Sequence, residues 1–532
     1  MLHALELENF KAFGKRARIP FAPITLIFGE NSAGKSTILQ ALYLLKQTRE
    51  SRESDAPLLP RTENGIVDLG SFQEMLFDHD LKRTLSIRVN TDLDRELAIE
   101  FSFKSPSLEA EVLLDQIQIY DGKSSKCIAR FQPSGTTVDR WDLWMTMGSF
   151  RDRQGLSPAK LAAVRCVWLT KATEYWEPEF ELCKKNKDKI LNWISEEKSD
   201  LEEHLKHQTD MENNDEREHS SEKFQERFNS LSEDFNFFSS DFDLKTYISK
   251  RHREKMSRVL GVQGFLPVGI ISEERNSGIT GSRSLLHWQS DDTDDTDFDI
   301  ARIAMLAGYV LEKTLEALFS IRPFRIPPER WYIFRGTTPQ NVGYRGDLLS
   351  DLLFRHPELV KETNKWLKHL DMGYQLEVKS VGSDSSDLFE VRLIDTRRKE
   401  PVSVALPDVG FGVSQLLPFI VQSLASDRRI ISIEQPEVHV HPKLQADLGD
   451  LLAEAIKEPR QNRFIIETHS EHLILRLQRL VRKKEIKPED ISVIYVSRRP
   501  EGAKAERLHL DEAGDFIDEW PNGFFLERLR EL

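Results

Sequence analysis

The stretch GENSAGKST, from Gly29 to Thr37, decides the fold, and it directly follows the mostly apolar run ITLIF at 24–28. A short apolar run of this kind is typical of a buried strand. From Lys35 onward apolar residues return at helical spacing, at Ile38, Leu39, Ala41, Leu42 and Leu45. The stretch is therefore predicted to join a strand to a helix.

Two glycines in this loop, Gly29 and Gly34, are separated by four residues and precede Lys35 and Ser36, which is the spacing of a P-loop. Glycines let backbone N–H groups close around phosphates, and the helix N-terminus favours an anion. We expect Lys35 to reach the outer phosphates and Ser36 to ligate magnesium. The predicted nucleotide contacts are Gly29, Asn31, Ser32, Ala33, Gly34, Lys35, Ser36 and Thr37. The alternative, a chance glycine-rich turn, is disfavoured by the flanking strand and helix.

A second part of the site is predicted in RIISIEQPEVHVHP, residues 429–442, where Glu434 ends an apolar strand. An acidic residue at that place can hold the magnesium shell. A later strand, in NRFIIETHSEHLI, ends near His469, which is placed to contact a γ-phosphate. Upstream, in DVGFGVSQ, the pair Gly410 and Gly412 precedes Ser414 at the predicted start of an apolar helix. A glycine turn before a serine at a helix N-terminus is an anion site.

Length and composition indicate a soluble chain of several domains. The 532 residues are too many for one compact core, and the hydrophobic and charged fractions are 39% and 30%. We see neither an apolar run of 18 residues nor a secretion signal, so we expect a cytoplasmic protein without a membrane partner. The three cysteines lack metal-ligand spacing, and the net charge of −14 argues against a nucleic-acid-binding surface over the whole protein.

The pattern along the chain predicts three regions. Residues 1–135 show strand-like runs around the P-loop, including LSIRVN, LAIEFSF and EVLLDQIQIY. Residues 136–262 are rich in Glu, Lys, Asn and Gln and carry helical spacing, so we predict a helical, short coiled-coil-like insertion. Residues 263–532 hold the remaining site motifs. The predicted class is α/β, a P-loop NTPase with an antiparallel β-subdomain.

The ordered set GENSAGKST, DVGFGVSQ, IISIEQPE and ETHS resembles the ABC-type ATPase core of SMC, RecF and OLD proteins. LENFKAFG at 7–14 is similar to the opening strand motif of that superfamily, and PEVHVHP resembles a run common in OLD-like ATPases. WPNGFF at 520–525, together with PPERWYIFRGTTPQNVGYRG, resembles a bacterial family of uncharacterised predicted ATPases. Relatives of that kind occur in antiphage systems such as Septu and PARIS. The resemblance covers residues 1–135 and 263–532.

This resemblance implies ATP and Mg²⁺ as cofactors, with ATP sandwiched between two subunits. The P-loop would bind ATP in cis, and Ser414 with Gly412 would cap the γ-phosphate in trans. Glu434 would support Mg²⁺ and His469 would be the switch histidine. Gln73 matches the metal-sensing Q-loop residue. The segment with Asn9, Lys11 and Phe13 would approach the base or ribose.

One departure concerns the residue after Glu434. The superfamily pattern has an acidic pair with the second carboxylate as general base, whereas this chain has Gln435. Glutamine cannot accept a proton as a base, but it can orient a water. Glu437, three residues beyond Glu434, is the alternative base. We expect slow hydrolysis and long-lived ATP-bound states.

Two other groups of residues have competing interpretations. His439 and His441 alternate in HVHP, and we prefer a loop at the subunit contact to a metal site. The basic run between Arg476 and Lys487 suits nucleic-acid phosphate, but a solvated helix end is the preferred interpretation.

The main functional hypothesis is a slowly hydrolysing ATPase switch of a bacterial antiphage system, which self-associates as a dimer or multiples of dimers. Only about 60 residues follow His469, so we expect the nuclease or toxin effector to be a separate protein. The alternative is a DNA-repair or DNA-tethering ATPase of the SMC or RecF kind. Nucleic-acid binding is compatible with the main hypothesis but is not required by it.

Overall fold

A computed structural model describes the chain over residues 2–51, 56–63, 65–92, 96–107, 110–121, 127–139, 160–167, 258–263, 265–272, 296–382 and 387–520, and at single positions between 191 and 232. The strands of this part of the chain, in order, are β1 Leu2–Glu8, β2 Ala17–Pro20, β3 Ile24–Gly29, β4 Leu85–Asp92, β5 Glu96–Lys104, β6 Leu113–Asp121, β7 Cys127–Asp139, β8 Lys160–Val167, β9 Arg258–Gln263, β10 Leu266–Ser272, β11 Leu318–Ile321, β12 Tyr332–Ile333, β13 Tyr374–Ser380, β14 Leu388–Asp395, β15 Val402–Ala405, β16 Ile430–Glu434, β17 Arg463–Glu467, β18 Ile491–Arg499 and β19 Gly502–Leu508.

The α-helices of the same ranges are α1 Lys35–Glu50, α2 Phe72–Met75, α3 Thr296–Ala317, α4 Leu349–Arg355, α5 Pro357–His369, α6 Phe411–Ala425, α7 Pro442–Ala455 and α8 Glu471–Arg482. Single 3₁₀ turns lie at Phe77–His79, Leu406–Asp408 and Pro488–Asp490. Of the helices described, none is both long and apolar enough to span a bilayer.

A central, mostly parallel sheet carries the motifs. Its described strands follow the order β11-β16-β17-β3-β18-β19, and β3 lies between β17 and β18 and is parallel to both. β19 closes the edge as an antiparallel partner of β18. Because the carboxyl ends of parallel strands meet at one edge of a sheet, Glu434, Glu467 and the loop after Gly29 lie on the same side.

Both faces of the sheet are buried at its inner strands, which explains why β3 and β16 read as continuous apolar runs rather than as alternating patterns. Successive side chains of a strand point to opposite faces. Ile27 accordingly packs in the hydrophobic core toward the N-terminal sheet, and Phe28 packs in the core on the other side. The sheet therefore holds the P-loop between two cores, so the loop's entry strand is fixed from both sides.

A second, antiparallel sheet has the order β10-β9-β8-β7-β6-β5-β4-β1-β2 over the described residues. The strands predicted from LSIRVN, LAIEFSF and EVLLDQIQIY are confirmed as β4, β5 and β6. Helix α3 packs against this sheet, and Leu311 and Leu315 are buried in the core between them. The predicted antiparallel β-subdomain is thus present beside the P-loop core.

The sheet extends further along the chain than the composition indicated. β8 and all but the last residue of β9 lie within residues 136–262, the segment that we predicted as a helical insertion. These two strands continue the pairing from β7 to β10. The predicted boundaries at 135 and 262 therefore cut through this sheet. The charged composition of the whole segment masks two short strands. The helices predicted around 190–205 and 224–235 lie outside the described residues, apart from single positions.

A small sheet and the C-terminal residues cover the central sheet. β13, β14 and β15 pair in antiparallel fashion, and the polar turn TRRKE joins β14 to β15 as a hairpin. Trp520 packs edge-on against Phe28, with ring centroids 5.7 Å apart. It also contacts Tyr495 and Phe516, at 6.3 Å and 4.9 Å. The final described residue thus packs on the strand that leads into the P-loop.

Candidate functional site

The loop from Gly29 to Gly34 requires both of its glycines. Gly29 has φ 144°, and a Cβ there would lie 2.1 Å from the carbonyl oxygen of Val496. Gly34, at φ 105°, precedes α1, and a Cβ there would lie 2.6 Å from Cβ of Ala12. No side chain fits at either position without movement of the backbone, so the neighbouring chain fixes the shape of the loop.

Lys35 spans this loop from within. Its side chain is buried, and Nζ donates to the carbonyl oxygens of Gly29 at 3.1 Å and Glu30 at 2.8 Å. Burial lowers the pKa of Lys35. Helix α1 has no side-chain cap at Gly34. The start of α1 is therefore open to an anionic ligand beside the ammonium group, although the N–H of Thr37 donates to the carbonyl of Gly34 at 3.2 Å.

The other predicted loop residues lie either at the tip of the P-loop or at its base. Asn31 and Ser32 are exposed at the tip of the loop, and Ser32 has a left-handed φ of 60°. Ala33 and Thr37 are buried at the base of the loop. The strand–loop–helix context that the sequence predicted is therefore confirmed in the structure.

Lys11 and Ala12 adjoin the P-loop from the N-terminal segment. The backbone N–H of Lys11 donates to Met75 at 2.7 Å, and its Nζ donates to Oε1 of Gln40 on α1 at 3.0 Å. Burial lowers the pKa of Lys11. Gln73 lies in α2, where its Nε2 donates to the carbonyl of His79 at 3.0 Å. This contact serves the local turn, so the metal role of Gln73 stays a prediction from its sequence match.

Two carboxylates meet at the carboxyl ends of adjacent strands. Glu434 of β16 is the register partner of Glu467 of β17. Burial, followed by the charge of Glu467, raises the pKa of Glu434 to about 7, and the nearby Arg322 opposes this shift. Burial also raises the pKa of Glu467, and interaction with the side chain of Ser36 opposes this shift. The two predicted magnesium residues, Ser36 and Glu434, are thus linked through Glu467.

Glu437 has both oxygens engaged. Oε2 accepts from Oγ1 of Thr468 at 2.8 Å, and Oε1 accepts from the backbone N–H of His469 at 2.6 Å. These bonds hold the turn after β17 in place. His469 Nε2 is buried without a hydrogen-bond partner among the described residues. Burial lowers the pKa of His469, and the charge of Lys35 lowers it further. A neutral imidazole with an unpaired nitrogen suits a contact to an incoming group.

Gln435 occupies a strained turn after β16. Its φ is 47°, and its backbone N–H donates to the carbonyl of Glu467 at 2.7 Å. His439, four residues on, also has positive φ, at 63°. Left-handed conformations of non-glycine residues cost free energy and cluster at functional sites. The turn is therefore held by its surroundings rather than by its own preference.

Helix α6 begins earlier than the sequence suggested. We predicted a glycine turn followed by a helix that opens at Ser414, but the helix begins at Phe411 and Gly410 is its N-cap. Gly412 lies inside the first turn. A Cβ at this position would be 2.6 Å from the carbonyl oxygen of His439, so the close approach requires glycine. The loop after β16 therefore packs against the start of α6, and Ser414 lies in that first turn.

Two arginines of the basic run lie on α8 and form ion pairs with aspartates. Arg476 pairs with Asp447 and Asp450, and Arg482 pairs with Asp515. The histidine loop also has a structural role, since Nδ1 of His441 accepts from the backbone N–H of Lys443 at the start of α7. The subunit-contact role of His439 and His441 and the solvated helix end stay predictions.

Sequence reasoning missed Glu467, Arg322 and Arg325. Arg322 follows β11 and donates to the carbonyls of Gly65 and Ile66. Arg325 donates to the carbonyl of Gln415 in α6 at 2.8 Å, and burial lowers its pKa to about 10. The available signal was that β16 and β17 both end in glutamate, and that Arg322 is the first charged residue after an apolar run.

Comparison with known families now places the chain. The profile described as AAA ATPase domain matches residues 1–474. The chain belongs to the AAA ATPase domain family. A second profile, described as a protein of unknown function (DUF3696), matches residues 486–532 of this AAA ATPase. No curated protein sequence matches it.

Solved structures similar to this AAA ATPase include SMC head domains. One from Pyrococcus furiosus, with an extended coiled coil and bound to the C-terminal domain of ScpA, shares 12% identity over 99% of each chain, with a TM-score of 0.37. The SMC head domain from Thermotoga maritima shares 10% identity over 96% of this chain and 99% of its own, with a TM-score of 0.34. Likenesses at this distance carry no inference about activity or partners. The fold itself is mixed α/β.

The site of this AAA ATPase fits a magnesium ion. Mg²⁺ prefers oxygen ligands and is usually bound through one or two carboxylates together with substrate phosphates. Ser36, Glu434 and Glu467 supply such oxygens, and Oε2 of Glu467 is buried without a hydrogen-bond partner in the described part of the chain. Within those residues, no three His, Cys, Asp or Glu side chains converge as a metal cluster. An ion bound here therefore needs the nucleotide to complete its shell.

Glu437→Ala is expected to destabilise the nucleotide-free AAA ATPase by about 1–3 kcal/mol, because Thr468 and His469 each lose a buried acceptor. Glu437→Gln keeps one acceptor oxygen and is expected to cost less. Urea unfolding without nucleotide measures both variants. Equal stability of Glu437→Ala and the wild type would show that these hydrogen bonds do not hold the turn.

Proposed function

We propose that this AAA ATPase binds ATP with Mg²⁺ and hydrolyses it slowly, and that it acts as a nucleotide-controlled switch. The observation that carries the proposal is the pair at the end of β16. Glu434 is half-buried beside Glu467, whereas Gln435, which has no carboxylate, follows it in a strained turn. A site with a P-loop but without the usual base favours a long-lived ATP state over rapid turnover.

Each residue of the site has a proposed task. Lys35 leaves its two backbone acceptors to neutralise the outer phosphates, and the N–H groups of α1 bind the same phosphates. Ser36 and Glu434 hold Mg²⁺, which supplies charge stabilisation to the phosphates when bound. Gln435 orients a water for in-line attack on the γ-phosphorus, and the bond to the bridging oxygen breaks to release ADP and phosphate. His469 contacts the γ-phosphate through its unpaired Nε2.

The closed state is proposed to contain two copies of the chain. Ser414 and Gly412, in the first turn of α6, would contact the γ-phosphate held by the partner's P-loop. The support is a helix start that has no side-chain cap, with Gly410 exposed and Ser414 half-buried, next to the loop after β16. Light scattering should detect pairing with ATP and its absence with ADP.

Ser414→Arg is expected to leave ATP binding by the single subunit intact and to block ATP-driven pairing. The long cation would fill the space where the start of α6 meets phosphate. Equilibrium nucleotide binding and light scattering measure the two effects separately. Ser107→Arg, at an exposed position outside the site, is the matched control. Hydrolysis by Ser414→Arg at the wild-type rate would show that the assignment of this helix is wrong.

The proposed biological role is antiphage defence through a separate effector, a nuclease or toxin. Its support is the resemblance of WPNGFF and of the segment around PPERWYIFRG to predicted ATPases of defence systems. The direct test is to coexpress the chain with the product of the neighbouring gene and to measure phage plaque counts with both, with each alone and with the Lys35→Ala chain. Protection by this chain alone would contradict a separate effector.

The alternative, a DNA-tethering ATPase, is less well supported because two arginines of the basic run, Arg476 and Arg482, pair with aspartates. DNA-stimulated hydrolysis that falls steeply with salt would favour it. A hydrolysis rate that DNA does not raise would favour the switch proposal.

A further inference from the structure

Glu467 lies at the centre of the site. It is the first residue of the ETHS motif, but the sequence motifs gave it no role. β17 lies between β16 and β3, so Glu467 stands between Glu434 and the strand that enters the P-loop. Neighbouring strands are about 4.8 Å apart. The carboxylate of Glu467 is therefore adjacent to both halves of the nucleotide site, the magnesium carboxylate on one side and the phosphate loop on the other.

The contacts of Glu467 are incomplete. The residue is only 4% exposed, and the side chain of Ser36 interacts with its carboxylate and opposes the rise in its pKa. Oε2 is buried without a hydrogen-bond partner among the described residues. Leaving a buried carboxylate oxygen unpaired is unfavourable unless a ligand or a cation compensates it.

The ammonium group of Lys35 does not complete the hydrogen bonding of the Glu467 carboxylate. Lys35 interacts with Glu467 through charge, but its Nζ donates to the carbonyls of Gly29 and Glu30. In the proposed ATP-bound state the ammonium turns toward phosphate, which leaves Glu467 with less compensation. Glu437, by contrast, has both oxygens engaged by Thr468 and His469. Of these two glutamates, Glu467 is the one with an oxygen free for a new ligand.

We propose that Glu467 is a binding residue for the divalent cation that accompanies ATP, and that with Ser36 and Glu434 it supplies the second carboxylate that Gln435 does not. The inference rests on the proposed function, since the cation arrives with the nucleotide. Hard oxygen donors, with phosphate oxygens completing the shell, are the ligands that Mg²⁺ selects. The second acidic side chain of the site therefore comes from the neighbouring strand rather than from the next residue in sequence.

Glu467→Gln tests this assignment because it removes the charge and keeps the shape. Mn²⁺ binding in the presence of ATP, followed by electron paramagnetic resonance, is expected to weaken about 10–100-fold, as for other residues that support a bound metal. Affinity for a fluorescent ATP analogue in EDTA is expected to stay within about threefold of wild type, because the P-loop contacts do not change. Glu506→Gln, on β19 of the same sheet, is the matched control and should change neither value.

The outcomes separate this inference from the proposed function. Absence of nucleotide binding by the wild type would overturn both. Wild-type nucleotide binding with unchanged Mn²⁺ affinity in Glu467→Gln would overturn only the role of Glu467. Parallel losses of Mn²⁺ affinity and of nucleotide affinity in EDTA would mean that Glu467 acts through the P-loop's structure, which also overturns it. Glu467→Asp retains the charge on a shorter side chain and should bind Mn²⁺ more tightly than Glu467→Gln; the reverse order would contradict the proposal.

Discussion

Lys35→Ala is expected to abolish ATP binding. The structure buries the ammonium group inside the loop, where it donates to the carbonyls of Gly29 and Glu30. Alanine removes the main cationic partner of the phosphates and leaves those carbonyls without their donor. Hydrogen bonds to charged groups contribute about 1.5–3 kcal/mol each, so loss of the contacts from Lys35 lowers affinity by orders of magnitude. Titration with a fluorescent ATP analogue measures the effect.

The control for this prediction is Lys15→Ala, which removes the same side chain from an exposed position near the site. Its nucleotide affinity should equal that of the wild type, which excludes a general effect of net charge. ATP affinity of Lys35→Ala within about threefold of wild type would remove the P-loop from the proposed mechanism, because so small a change is below the contribution of one charged hydrogen bond.

The second large effect concerns the two residues at the end of β16, whose substitutions should differ in kind. Glu434→Gln removes a charge that supports Mg²⁺, so hydrolysis should fall to near background while ATP-bound assemblies persist. Gln435→Glu inserts a base where the superfamily pattern has one. General-base catalysis contributes about 10²–10⁴-fold, so even a partly aligned carboxylate should raise a slow turnover. Steady-state hydrolysis of both variants, measured side by side, is the test.

The backbone contact of Gln435 makes the Gln435→Glu substitution informative. Its backbone N–H already donates to Glu467, so the turn should keep its shape when only the terminal amide changes. A faster Gln435→Glu enzyme is expected to fail as a switch in cells, because its closed state is short-lived. If Gln435→Glu abolished turnover while Glu434→Gln was tolerated, the roles of the two residues would have to be exchanged.

Local signals predicted much of the fold. The P-loop could be placed from residues 24–45 alone because strand, glycine loop and helix are contiguous there. Sequence periodicity was less useful where one element runs directly into another. Helical spacing of apolar residues continues through Phe319, but α3 ends at Ala317 and the chain continues directly as β11, with neither Gly nor Pro at the junction. The start of α6 was misplaced because Gly412 serves a close approach to His439 rather than a turn.

The site was predicted less completely because its neighbours come from distant parts of the chain. Glu434 and Glu467 are 33 residues apart in sequence and become partners only through the register of β16 and β17. A sequence shows that each strand ends in glutamate, but it does not show which strand lies beside which. Arg322 was missed for the same reason, since its partners Gly65 and Ile66 lie in the N-terminal part of the chain.

The position of β3 in the central sheet has a consequence for synthesis on the ribosome. β3 leaves the ribosome early, yet its neighbours in the sheet, β17 and β18, begin at Arg463 and Ile491. At about 5–20 residues per second, the P-loop strand must wait roughly 20–90 s for its partners. During that interval the N-terminal antiparallel strands can fold against one another, but the proposed nucleotide site still lacks the strand that carries Glu467. The proposed ATP ligand therefore cannot assist the folding of the P-loop strand before β17 and β18 have been synthesised.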